Sequence, residues 1–188
     1  MAELLLFHHA QGLTAGCLSF AERLRVAGHV VHALDLYEGQ TFAELADGMG
    51  YVERVGFAAI LERGRVAAES LPAELVYAGL SLGAMPAQML AQTRPGAKGA
   101  VLLHAAIPPA EFGASWPDGV PLQIHTMEAD ELGDVEIAQE LAETIESAEL
   151  FLYPGDRHLF TDDSLPDYDE RAAALVEQRV LAFLDRVG

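Results

Sequence analysis

The chain is short of cysteine, of basic residues and of long apolar runs, and each shortage closes off a class of protein. One cysteine, Cys17, among 188 residues leaves no partner for an intramolecular disulfide framework. Eleven Lys and Arg stand against 29 Asp and Glu, a formal charge of −18. That field repels a phosphate backbone and an anionic bilayer, so neither nucleic acid nor membrane is an expected partner. The opening MAELLLFHHA has no basic leader, and its apolar run is far too short for a signal peptide or a membrane span. The expected location is the cytoplasm. Neither Gly-x-Gly-x-x-Gly nor Gly-x-x-x-x-Gly-Lys occurs, so the glycine-rich loops that cradle phosphates are missing.

What is present suits a globular fold. Hydrophobic residues make up 51% and charged ones 21%, and a domain of this length buries roughly two thirds of its unfolded surface. Short apolar runs alternate with longer amphipathic stretches. The runs are residues 4–7, HVVHAL (29–34), ELVYAG (74–79), GAVLLH (99–104), PLQIHT (121–126) and ELFLY (149–153), which read as strands buried on both faces. Between them lie helical periods. Cys17, Phe20, Ala21 and Leu24 precede a stop at Gly28. A less regular stripe holds Val52, Val55, Ala59, Val66 and Ala67, broken by Gly56 and Gly64. Another follows Ser81. Ala138, Leu141, Ala142 and Ile145 mark the next, and Ala172, Val176, Val180, Phe183 and Val187 the last. Such alternation predicts an α/β fold, a doubly wound and mainly parallel sheet of about six strands with helices on both faces. No repeat or linker divides the chain, so residues 1–188 read as one domain. The Pro- and Gly-rich stretch 105–120 reads as a surface loop near the site.

In such sheets the chemistry sits beyond the carboxyl ends of the strands. After the third run comes Gly79-Leu80-Ser81-Leu82-Gly83, a Gly-x-Ser-x-Gly pattern on a strand-to-helix junction, which is the context of a nucleophile elbow. An ordinary turn serine is the competing account. Pro86 fits only if it lies in the first turn of the following helix. A serine hydroxyl needs a base, and the base an orienter. His158 follows the last strand and Asp130 the one before it, giving the order Ser, Asp, His. Glu128, Glu131 and Asp134 crowd the same loop as Asp130 and compete for its role, whereas Asp156 reads as a turn former. His29 and His32 lie at or in the second strand, and His104 and His125, at or near strand ends, read as structural. The backbone N–H groups of Leu82 and Ala10 are candidate donors to an oxyanion. His8 and His9 are adjacent on a strand and face opposite ways, so they do not chelate one ion. Cys17 falls on the apolar face of a helix, as a buried thiol does. No metal and no cofactor is expected.

The sequence resembles the dienelactone hydrolase family of the α/β-hydrolases over nearly its whole length. The stretches that carry the likeness are GHVVHALDLYEGQTF (28–42), AGLSLGAMPA (78–87), GAVLLHAAIP (99–108) and LFLYPGDRHLFTD (150–162). The Asp-Leu-Tyr after the second strand and the Tyr-Pro-Gly…His-x-Phe around His158 are more specific than the elbow. The resemblance implies hydrolysis of an ester or lactone carbonyl through an acyl-enzyme, with Ser81, Asp130 and His158 in the triad positions. The family's namesake uses a cysteine where this chain has Ser81, and a glutamate where His9 stands. Its substrate-gripping arginines have Arg54 and Arg157 as their nearest candidates, and His9 and Arg157 are accordingly candidate substrate-binding residues.

The expectation is a serine hydrolase of a small-molecule ester, lactone or thioester. A second reading, from another class, is a hydrolase-fold binding or scaffold protein without turnover. A third is a flavodoxin-like or other nucleotide-binding domain. Nothing in the sequence speaks to oligomeric state.

Overall fold

A computed structural model describes residues 1–113 and 115–188 of the chain. Six strands, β1 (Glu3–Phe7), β2 (Val30–Leu34), β3 (Val76–Leu80), β4 (Gly99–Leu103), β5 (Leu122–Met127) and β6 (Ala148–Tyr153), form one sheet in the order β2-β1-β3-β4-β5-β6. Every pairing is parallel. From β1 the chain first steps outward to β2, then returns past β1 to build the rest. Strand order therefore reverses between β1 and β3, where a crevice opens at the carboxyl ends.

Six helices cover the sheet: α1 (Ala15–Val26), α2 (Leu45–Val55), α3 (Phe57–Glu69), α4 (Ala84–Thr93), α5 (Val135–Thr144) and α6 (Glu170–Val187). Strand side chains alternate between two cores. Leu5, Phe7, Tyr77, Leu102 and Ile124 pack with Val52, Ile60, Leu90 and Leu141 of α2 to α5. Leu4, Leu6, Val76, Ala78 and Val101 face the other way, against Phe20 and Leu24 of α1 and Val176, Val180 and Phe183 of α6. The central strands are thus apolar on both faces and read as unbroken runs. Strands β2 and β6 lie at the edges and are only partly covered, so burial on both faces fails there. No helix among the described residues is long and apolar enough to cross a membrane.

The irregular stripe around residues 52–67 resolves into two helices. Gly56, at φ +86°, turns the chain between α2 and α3, and the buried line of α3 is Ile60, Gly64 and Ala68. Val66 is half exposed and does not belong to it. Gly64 does not interrupt the helix. A Cβ there would press on Pro86 of α4, so the missing side chain is what lets α3 and α4 approach.

Candidate active site

Strand β3 ends at Leu80. Ser81 then takes a left-handed conformation, φ +50°, in the short turn Ser81–Gly83 that feeds α4. A non-glycine residue pays for that conformation and persists only where its surroundings hold it. The surroundings are tight: a Cβ on Gly79 would overlap the Gly83 carbonyl, and one on Gly83 would overlap the Phe7 carbonyl at the end of β1. The two glycines let backbone pass at contact distance on either side of the serine. Pro86 is the third residue of α4, within the first turn, where its missing N–H costs no helical bond.

Two loops close over this hydroxyl. Ser81 Oγ lies 2.7 Å from His158 Nε2, and His158 Nδ1 lies 2.8 Å from Asp130 Oδ2. Both His158 and Asp130 are buried. A carboxylate at Nδ1 requires the proton there, which leaves the Nε2 lone pair facing the serine hydroxyl. The Leu132 N–H donates to Asp130 Oδ1 at 2.9 Å, fixing the carboxylate from its other side. The loops after β5 and β6 also hold each other. Ala129 N–H donates to Gly155 O at 3.0 Å, and Arg157 N lies 3.3 Å from Met127 Sδ. Of the competing carboxylates, Glu128 and Glu131 face solvent, and Asp134, φ +50°, begins α5. Asp130 is the carboxylate that meets the imidazole.

Ser81 and His158 open into a cleft of about 260 Å3 whose walls are Leu45, Met49, Phe57, Met85, Ile107 and Leu132, with Asp134 at its margin. Leu82 and Ala105 complete it, so the 105–120 loop reaches the site through its first residues. A second, open cavity shares Leu45, Leu132 and His158 with the first and carries Glu131, Asp156 and Asp167. A larger depression of about 670 Å3 beside Trp116 shares no residue with Ser81 or His158.

The other expected residues fall elsewhere. Arg157 donates to Tyr168 O at 2.6 Å and faces Asp169; it is tied to the entry of α6 and lines neither cavity. Arg54 is exposed and lies over the Tyr51 ring, 5.8 Å from its centroid. Neither arginine is placed to grip a substrate carboxylate. His8 and His9 follow the end of β1, and their rings reach different partners. His8 Nε2 accepts from Leu36 N–H at 2.9 Å, and burial, against the pull of its neighbours, lowers its pKa to about 4. His9 is fully buried, with Nε2 2.8 Å from Asp162 Oδ2, and it is not a wall of the cleft. It lies in the loop after β1 with its ring on Asp162 and away from the cleft, so its candidacy for substrate contact fails. Ala10 is buried in the same loop, which leaves β1 where Gly83 packs against it.

Asp162 was not anticipated from the sequence. Its carboxylate accepts from Thr14 Oγ1 at 2.5 Å, from Ser164 Oγ at 2.6 Å and from Ser164 N at 2.9 Å, and the Cys17 sulfur lies 3.8 Å away. Burial would push this carboxyl up, but the bonds from His9, Ser164 and Thr14 prevail and hold it well below the usual carboxylate range. For His9, burial favours the neutral ring, yet Asp162 and Cys17 outweigh it and lift the pKa to about 9. The Gln11 N–H, 3.2 Å from Nδ1, pulls the other way, because it needs a lone pair there. His9, Cys17 and Asp162 offer three donor atoms within 4.8 Å of one another, the metal-like donor set among the described residues. The carboxylate oxygen they share is engaged by protons at hydrogen-bond distance, so the cluster is satisfied as a polar network. His104 (φ +68°) joins the same region, its Nε2 2.7 Å from Thr161 Oγ1. Burial first, then the neighbouring histidines, hold its pKa well below normal. His125 is buried, bonded to Tyr153 Oη and Gln123 Oε1. Burial and then Arg179 lower its pKa to about 3. Both are buried and neither lines the cleft.

Residues 3–188 match the sequence model of the dienelactone hydrolase family. Among solved structures, a dienelactone hydrolase-like promiscuous phosphotriesterase from metagenomic libraries is 18% identical with a TM-score of 0.75, covering 100% of this chain and 87% of its own. Dienelactone hydrolase from Anabaena variabilis is also 18% identical, TM-score 0.72, covering 100% and 87%. A CIB-like hydrolase from Thermoplasma acidophilum is 17% identical, TM-score 0.72, covering 98% and 86%. At these identities the likeness is one of fold. No curated protein matches the chain.

Proposed function

The chain belongs to the dienelactone hydrolase family and is a hydrolase, and from that premise we propose that it cleaves a carboxylic ester, lactone or thioester by acyl transfer through Ser81. The observation that carries this reading is the unbroken hydrogen-bonded line from Ser81 Oγ through His158 to Asp130, at 2.7 and 2.8 Å. The strained backbone that lifts the serine out of the sheet supports it as well.

In this mechanism His158 Nε2 takes the Ser81 proton as Oγ bonds to the substrate carbonyl carbon, and the carbonyl oxygen becomes negative. The N–H groups of Leu82, at the start of the helical segment behind the serine, and of Ala10, in the loop after β1, receive that charge. Losing one such donor costs about 10²–10³ in turnover. The imidazolium, held by Asp130, gives its proton to the leaving oxygen or sulfur as the carbonyl re-forms on an acyl-serine. Water then attacks that ester, its proton passing to His158 and on to Ser81 Oγ as the acid departs. No cofactor enters the scheme, and the partner is a small-molecule substrate.

A fluorophosphonate probe tests the nucleophile directly. Labelling of the wild type that disappears in Ser81→Ala and falls sharply in His158→Ala supports the proposal. A wild type that stays unlabelled while a control esterase reacts overturns it in favour of a hydrolase-fold binding protein.

A further inference from the structure

The walls of the cleft carry chemical information that the triad does not. Eight apolar residues line the cleft with Ser81 and His158. Two of them, Phe57 and Leu132, are 41% and 57% exposed, extending an apolar platform outward from the cleft. Apolar surface left open to water beside a nucleophile marks the place where a ligand recovers the cost of that exposure. The charges nearby are of one sign. Asp134 borders the apolar cleft, and Glu131, Asp156 and Asp167 line the cavity that shares Leu45, Leu132 and His158 with it. Among the described residues no lysine or arginine lines either cavity, Arg157 being engaged with the entry of α6. The whole chain carries −18, so the local sign is reinforced at long range.

We propose that this site takes uncharged esters with an apolar acyl group in the Met49–Met85–Ile107 cleft, and that the surrounding carboxylates, Asp134 foremost, reject substrates bearing a carboxylate. The inference rests on Ser81 being the nucleophile and adds what that serine acts on. It has a second consequence. Hydrolysis releases a carboxylate beside these acidic groups, so the product leaves a site that repels it. A cleft of about 260 Å3 lies just below the usual size range of ligand pockets, which favours a short acyl chain. Longer chains would continue over Phe57 and Leu132.

The experiment compares two p-nitrophenyl esters of equal acyl length, the valerate and the hydrogen glutarate, which differ in a terminal methyl against a terminal carboxylate. For the wild type, kcat/KM for the valerate is expected to exceed that for the glutarate by about 100-fold at low salt. The ratio narrows as ionic strength rises, because exposed charges are screened within about 10 Å at 0.1 M. Asp134→Asn is the informative variant, since asparagine accepts the left-handed backbone of that position. It removes one charge and keeps the shape, and is expected to raise the glutarate relative to the valerate by about tenfold. Leu132→Arg, on the exposed rim, is expected to move the ratio the same way. Fluorophosphonate labelling runs in parallel. A labelled enzyme that cleaves the glutarate as well as the valerate, or whose ratio ignores both Asp134→Asn and salt, overturns this inference and leaves the serine nucleophile standing. An unlabelled enzyme that cleaves neither ester overturns both.

Discussion

Replacing Asp130 with asparagine exchanges one oxygen for an amide nitrogen and should nearly silence the enzyme without unfolding it. Asp130 makes two bonds: Oδ1 accepts from Leu132 N–H at 2.9 Å, and Oδ2 accepts from His158 Nδ1 at 2.8 Å. Asparagine can keep the first through its carbonyl. Its NH2 group then faces Nδ1 and can only donate, so the ring proton must move to Nε2. That places an N–H against Ser81 Oγ, where a lone pair is required. In Ser-His-Asp assemblies the matching change lowers kcat about 10⁴-fold, or about 5 kcal/mol at ~1.36 kcal/mol per decade. If Asp130 served only the fold, losing one charge-assisted bond would cost about 1.5–3 kcal/mol of stability, and activity would fall only with the folded fraction. The assay is steady-state hydrolysis of p-nitrophenyl butyrate beside a thermal melt, with exposed Glu128→Gln as the control. A variant that melts near the wild type and keeps more than a tenth of its kcat refutes the assignment of Asp130 as orienter.

Gly83→Ala should destabilise by about 2–4 kcal/mol, because the new methyl would overlap backbone carbonyls at the end of β1. An unchanged urea midpoint would mean that the elbow can shift away from β1. Stability should also form a dome in pH. The folded pKa values of His8, about 4, and His125, about 3, lie below the unfolded value near 6.5. Below pH 6.5 the unfolded chain therefore binds protons that the folded one refuses, and stability falls. His9 has the opposite sign. Its folded pKa of about 9 gives stability that is complete below pH 6.5 and is lost as pH rises through 9. A urea midpoint level from pH 7 to 9 would show the ring to be neutral, its proton on Nε2 and Gln11 N–H donating to Nδ1. Arg157→Ala should leave KM for a neutral ester within about twofold, since the guanidinium is held by Tyr168 O and Asp169; a tenfold rise would return it to the binding site.

The parts legible in the sequence were those in which one local rule decides the outcome. Strands covered on both faces leave unbroken apolar runs, and β1, β3 and β4 were found that way, whereas β5 is buried with Gln123, His125 and Thr126 among its apolar residues. The elbow was legible because strand, Gly-x-Ser-x-Gly and helix occur together, and His158 because it was the histidine in a glycine-containing loop after the last strand. Asp130 could be proposed but not separated from Glu128, Glu131 and Asp134. Four carboxylates within seven residues have the same chemistry, and what distinguishes them is which one is turned inward by the Leu132 N–H and by the contact of its loop with Gly155. That information is three-dimensional.

The same limit explains His9 and Asp162. His8 and His9 lie past the end of β1 rather than on it, and their rings reach different partners, Leu36 N–H and Asp162, which no rule of strand alternation supplies. Asp162 lies 153 residues from His9 in the chain and four after His158, inside a stretch already singled out for its likeness to the family. A buried histidine at a strand end needs a polar partner, and an aspartate just beyond the catalytic loop was within reach of that argument. The arrangement has a structural consequence. The loop after β1, which carries Ala10, and the segment after His158 are joined through one buried imidazole and one carboxylate. The loop after β1 and the loop that carries His158 are therefore braced against each other by residues that do not line the cleft.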